Sequence, residues 1–181
     1  MSMEHRAFLF DLSSFSNELK HILESSLRSG DVGPLREFIN NNQLSLTDPY
    51  EGEPISELWE DMISEPDAHQ YGDVALTKYY SPLEDRGLGP DWEVVQELLI
   101  NAYQHLIFSP ILGQPIGPVD DPFDPGKMGS YFQSRNDAND SLEKLAGVES
   151  RIPADIADRY AQFKELLKNA ISQNKGIYVT F

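Results

Sequence analysis

Three carboxylates on a glycine- and proline-rich stretch, Asp120, Asp121 and Asp124, are the residues whose type and spacing come nearest to a metal site. Hard oxygen ligands of this kind suit Ca²⁺ or Mg²⁺. The spacing is not that of an EF-hand, which places ligands at alternate positions and a bidentate Glu at the twelfth. Pro122 and Pro125 point instead to turns opened by Asp, whose side chain accepts backbone N–H bonds. The four histidines, His5, His21, His69 and His105, form no i, i+4 pair and no metal-ligand motif. His21 and His105 fall beside apolar stripes, as partly buried helix residues do. His69, between Asp67 and Tyr71, is the best candidate for a titrating group. A site under the 109–129 segment would gather Asp120, Asp121, Asp124 and Tyr131 with His69 or His105. Such a site would make the protein a small hydrolase or a ligand- or cation-binding protein.

Other catalytic signatures fail on inspection. There is no cysteine, so thiolate catalysis, disulfides and zinc-thiolate sites are excluded. No G-x-S-x-G elbow and no dinucleotide fingerprint occurs. Gly126-Lys127-Met128-Gly129-Ser130 has Met where a phosphate loop needs Ser or Thr, and Asp121 where it needs the first Gly. Carboxylate pairs such as Glu57 with Asp61 and Glu93 with Glu97 stand at i, i+4. On exposed helix faces such pairs are solvated charge rather than an acid–base dyad. No cofactor and no metal is assigned, and no catalytic residue.

Charge carries more information. The net charge is −16, and residues 1–125 hold 23 acids against 6 basic residues. Residues 37–77 hold ten acids and no Lys or Arg. Nucleic acids and anionic membranes need basic contacts, so neither is an expected partner. A basic protein is. Tyr71, Tyr79 and Tyr80 follow the acid-only segment, and rings that anchor beside acids that steer make a recognition surface. The expected partner face is therefore Glu57, Glu60, Asp61 and Glu65 with Tyr71, Tyr79 and Tyr80. An immunity-type inhibitor of a basic toxin has this size, this charge and this lack of catalytic groups.

The elements that must position these residues are legible from apolar periodicity. Residues 6–12 read as a strand, with Phe8 and Phe10 on one face and Ala7 and Leu9 on the other. Leu19, Ile22, Leu23 and Leu27 recur at helical spacing after the N-cap candidates Ser13, Ser14 and Ser16, and Gly30 ends that helix. A short helix from Pro34 carries Leu35, Phe38 and Ile39, and Asn40 to Asn42 close it. Ile55, Leu58, Trp59, Met62 and Ile63 stand at i, i+3, i+4, i+7 and i+8, predicting an amphipathic helix over 54–65. Asp73 is placed to cap a short helix through Tyr79 and Tyr80. A helix from Asp91 carries Trp92, Val95, Leu98, Leu99, Ala102 and Leu106. Residues 130–133 lead into a helix over 138–147 that Gly147 ends. A long helix spans 153–173, and Ile177 to Phe181 form a last strand.

Between them runs Ser109 to Gly129, in which nine of 21 residues are Pro or Gly. No helix passes through so many fixed or freed φ angles. Ile111, Leu112, Ile116, Val119, Phe123 and Met128 argue against a solvated linker and for an ordered crossing loop.

At 181 residues the chain suits one domain that buries roughly 70% of its unfolded surface. The expected fold is α+β: a mostly helical single domain over 1–181, with helices over one face of a small sheet that includes both terminal strands. No apolar run is long enough for a signal peptide or a membrane span, so a cytoplasmic protein is expected.

The order of features in the second half resembles an uncharacterised bacterial family called domain of unknown function 1877. The matching features are Gly117-Pro118, the helix over 138–147, the helix bearing Tyr160 and Phe163, then Ala170, Gly176 and the terminal strand. The opening strand and its Ser-headed helix are similar too, whereas residues 40–90 are not. The resemblance implies an α+β fold and, since that family has no established activity, brings no functional residues with it.

Overall fold

The fold is organised around a strand that is central in space and last in sequence. In the computed structural model, which describes residues 3–181, β1 (Arg6–Phe10) and β2 (Ser130–Gln133) both pair antiparallel with β3 (Gly176–Thr180). The sheet order is β1-β3-β2. Phe8 and Phe132 lie opposite Tyr178 on either side, and Ala7 and Tyr131 lie opposite Val179. The protein is thus an α+β single domain whose first and last strands pair. β2 is a strand that the sequence pattern showed only as a lead into the next helix.

Both faces of the sheet are covered, not one as expected. Phe8, Phe10, Phe132 and Tyr178 face a core built with α1 (Leu12–Glu18), α2 (Lys20–Ser29), α3 (Gly33–Asn42) and α4 (Ala68–Leu76). Ala7, Ile177 and Val179 face a second core built with α5 (Trp92–Ala102), α6 (Arg135–Val148) and α7 (Ala157–Ser172). The reason is the strands' composition: a strand apolar on both sides must be covered on both sides. Buried aromatic rings dominate the first core, with Phe15 stacked on Phe132 at 5.7 Å and Phe10 edge-on to both.

Local chemistry sets most boundaries. Asp11, not a serine, caps α1 by accepting the Ser14 N–H, and the helix breaks at Leu19 before α2. Gly30, at φ +73°, ends α2 in the left-handed conformation. α6 starts earlier than its apolar pattern suggests, because Ser134 and Asp137 form a reciprocal capping box. It also runs through Gly147, where the Tyr103 hydroxyl packs too close for a side chain. α5 ends at Ala102, short of the expected Leu106, and α7 starts after Ile156.

The amphipathic helix over 54–65 does not form. Thr47 bridges Pro54, the Ile55 N–H donates to the Leu46 carbonyl, and only Trp59–Met62 winds into a 3₁₀ turn. Trp59 is buried and its indole N–H donates to Asn40 Oδ1 at 3.0 Å, while Leu58 and Met62 face solvent. The Ser56 hydroxyl takes the Leu58 N–H that a helix would use.

The 109–129 segment is ordered and crosses the domain. Its backbone pairs with β2 through Gln114 and Phe132, and buried Gln133 donates to the Pro110 carbonyl at 3.1 Å. Ile111 and Phe123 anchor it in the two cores, whereas Val119 and Met128 are exposed and anchor nothing. Gly72 of α4 lets it approach, since a Cβ there would stand 2.7 Å from both Leu23 and Phe123. His5 ties it down further. Its Nδ1 accepts the Leu88 N–H at 3.0 Å, so Nε2 carries the proton and donates to the Ile111 carbonyl at 2.6 Å. Burial lowers the pKa of this imidazole and keeps it neutral.

Candidate functional sites

The expected residues separate into a surface and a core. Glu57, Glu60, Asp61 and Glu65 are exposed on the irregular segment that replaces the predicted helix. Glu60 is held by Arg36 at 2.8 Å and Glu65 by Lys127 at 3.0 Å. Glu57 and Asp61 have no ion-pair partner among the described residues. Glu51 and Glu53 are exposed on the preceding loop, and Leu44, Tyr50, Leu58 and Met62 are exposed apolar side chains of the same stretch of chain. Leu83 joins the same surface by packing over Gly52. The segment is anchored from beneath by Trp59, whose ring meets Tyr71 edge-on at 5.3 Å.

The tyrosines expected on that surface are elsewhere. Tyr71 and Tyr79 are 1% and 5% exposed and belong to the first core. Their hydroxyls reach its edge, where Tyr71 accepts from Arg36 at 3.1 Å and Tyr79 donates to Glu18 at 3.0 Å. Tyr80 packs its ring on Phe8 at 4.9 Å and on Tyr178 at 5.2 Å. The correction has one cause: residues 68–76 form α4, capped by Asp67 rather than by Asp73, so the aromatic residues that follow turn inward. Tyr50, which the sequence pattern passed over, is the tyrosine on the acidic surface.

The site expected under the 109–129 segment assembles in part. His69 Nδ1 accepts the Asp124 N–H at 3.1 Å, which places the ring proton on Nε2, 3.4 Å from Asp121 Oδ1. They border an open depression of about 410 Å³ that also meets Glu65, Gln70 and Lys127. The Asp124 carboxylate is occupied as a turn former, accepting the N–H groups of Met128 and Gly129. Asp120 is exposed on the same loop. Tyr131 joins the second core and His105 lies exposed beyond α5, so neither meets His69. No hydroxyl or thiol side chain borders the depression. Among the described residues no three His, Asp or Glu side chains stand close enough to hold a metal ion. No described helix is long and apolar enough to cross a membrane.

A third constellation was not legible in the sequence. Asp73 sits inside α4 at 7% exposure, with Tyr50, Tyr80 and Arg6 around it. Burial, with Asp48 nearby, pushes its carboxyl up to about 7, against the opposing pull of the Tyr50 hydroxyl and Arg6. Burial also raises the pKa of Tyr80 and Tyr178 beside it. The signal in the sequence is a single acid between Gly72 and Val74 in an otherwise apolar run, and it mimics a helix cap until the helix start is known. No family model, curated protein or solved structure matches the chain.

Proposed function

We propose that the protein is a non-enzymatic interaction module that binds a basic protein through the face formed by residues 44–65. The observation that carries this reading is an irregular surface segment, anchored by buried Trp59, whose exposed apolar side chains Leu58 and Met62 alternate along the chain with the unpaired acids Glu57 and Asp61, with exposed Tyr50 beside Glu51 on the loop before it. Apolar anchors inside a charged rim are the composition of a protein–protein interface. The acids draw a basic partner in and set its orientation, and the apolar groups supply the desolvated centre. An immunity-type inhibitor of a basic toxin is the class this describes. The His69–Asp121 pair supports a hydrolase or small-ligand reading less well, because no hydroxyl or thiol borders it for the imidazole to activate.

The test is capture of a partner from lysate of the source cell at roughly 50 and 500 mM salt. The Debye length shrinks about threefold between the two, so a steered complex weakens sharply. Glu57→Lys with Asp61→Lys leaves the Arg36–Glu60 pair intact and reverses the unpaired charges. The expected result is a stoichiometric basic protein bound at low salt by the wild type and lost in this variant. Capture that is indifferent to both salt and charge reversal overturns the reading.

A further inference from the structure

Asp73 faces a small cavity that meets the His69 depression only at Pro125 and is bordered by Tyr50 of the acidic surface. Arg6, Phe8, Tyr50, Tyr80 and Phe181 line it with the carboxyl. About 30 Å³ of it admits the centre of a water-sized group, enough for one or two such groups. Asp73 is more than nine-tenths buried, and no ion pair reaches it among the described residues. The Tyr50 hydroxyl lies beside it and favours its ionised form. Arg6 is engaged outward. Its Nε is 3.6 Å from Asp85, its Nη2 donates to the Pro82 carbonyl at 3.3 Å, and its guanidinium lies over the Phe8 ring.

A buried carboxyl without an ion-pair partner is costly, and although Arg6 shares the cavity its guanidinium is committed to Asp85 and Pro82, leaving this one facing a space with aromatic walls. The group that satisfies such a place brings one positive charge, several N–H donors and the volume of a water. A primary ammonium does all three, and aromatic faces attract it further. An oxyanion on Arg6 would meet Asp73 and Asp48 as like charges, and a guanidinium is larger than the space.

We propose that this cavity receives the primary ammonium group of an unbranched chain, as at the end of a lysine side chain. The lysine source rests on the reading of residues 44–65 as the docking face of a basic partner. Tyr50 joins the two, being 61% exposed on that face while also lining the cavity. A lysine entering past Tyr50 would fix the register of a partner that the acidic surface only attracts.

The probe is n-butylammonium chloride, titrated into the full chain without any partner and followed by calorimetry and melting temperature. Sodium chloride of equal ionic strength and sodium acetate are the controls. The expected result is saturable one-to-one binding, with Tm raised by a few degrees at about ten times Kd. Asp73→Asn abolishes it, and Tyr50→Ala, at an exposed position that leaves the core untouched, weakens it about threefold to tenfold. No saturable binding to the wild type, equal binding to Asp73→Asn, or binding of acetate in place of the amine overturns the proposal.

The Glu57→Lys, Asp61→Lys variant keeps butylammonium binding, since neither residue lines the cavity. Amine binding in a wild-type protein that captures no basic partner assigns the cavity to a free amine and sinks the docking face alone. Partner capture without amine binding sinks the cavity alone.

Discussion

Asp73 and His5 are two buried ionisable residues with opposite consequences for pH. Asp73 keeps its proton in the fold to about pH 7, whereas an unfolded chain gives it up near 3.8. Between those values the native state binds the extra proton, so stability falls as pH rises and the full penalty is present above 7. Three units at 1.36 kcal/mol each set its scale at about 4 kcal/mol. Asp73→Asn is therefore expected to be more stable than the wild type at pH 8 and equal to it near pH 3.5, in urea melts at both. An equal difference at the two pH values would refute the assignment. His5 slopes the other way. Its folded pKa lies below the ordinary 6.5, so the unfolded chain takes up a proton first and stability falls as pH drops below 6.5. His5→Ala strands the Leu88 N–H and the Ile111 carbonyl, at about 1–3 kcal/mol for each buried group left unpaired. It is expected to flatten this acid limb as it lowers stability, measured by denaturant midpoint against pH. A wild-type limb that persists in the variant belongs to another group.

At the scale of the element, the two most instructive segments are α6 and the stretch that fails to become a helix. The capping box of α6 was available in the sequence as Ser134 followed by Asp137, yet apolar spacing drew attention to Ala138 onward. Ser134→Ala removes the acceptor for the Asp137 N–H and is expected to cost about 1 kcal/mol. Hydrogen exchange should speed in the first turn of α6 alone; an unchanged first turn would show that the cap is idle. Residues 54–65 carry a flawless i, i+3, i+4 stripe, but Trp59 alone commands a buried site. With Ile55 and Ile63 only partly buried and Leu58 and Met62 out, an irregular path satisfies the backbone as well as a helix does. Trp59→Ala is expected to cost about 3–5 kcal/mol and to loosen residues 46–63. Faster exchange confined to that stretch, and a lost partner, would accompany it if the segment is the docking face. A variant that melts like the wild type would mean the ring anchors nothing.

For the whole molecule the governing quantity is a net charge of −16. Six Lys or Arg ion pairs among the described residues engage few of the 30 acids, so most of that charge repels itself across the surface. Screening should therefore stabilise the fold. Raising sodium chloride from about 10 to about 500 mM is expected to raise Tm by a few degrees, as the Debye length falls from about 30 Å to a few ångströms. The Glu57→Lys, Asp61→Lys protein should gain less, because its net charge is smaller in magnitude. A flat salt response in both would show that the acids are spaced too widely to matter to stability, and would leave steering as their only role.

How far the sequence alone reached is clearest in β1, β3 and Asp73. The terminal strands were legible because Phe8 and Phe10 alternate with Ala7 and Leu9, and Ile177 with Tyr178 and Val179, a period that depends on neighbouring residues only. For the same reason Gly30, the Asn40–Asn42 stop and the ordered Pro/Gly crossing showed through: caps and fixed φ angles are local chemistry. The acidity of residues 37–77 needed no structure at all. Which face a side chain takes in a weakly biased segment is decided by what packs against it. Tyr71 and Tyr79 turned inward because α4 begins at Ala68, and Tyr50 turned outward over a loop. Asp73 became a buried carboxyl only because Tyr80 and Tyr178 closed around it from segments 7 and 105 residues away. Burial and electrostatics are sums over neighbours in space, and only the tertiary structure supplies them.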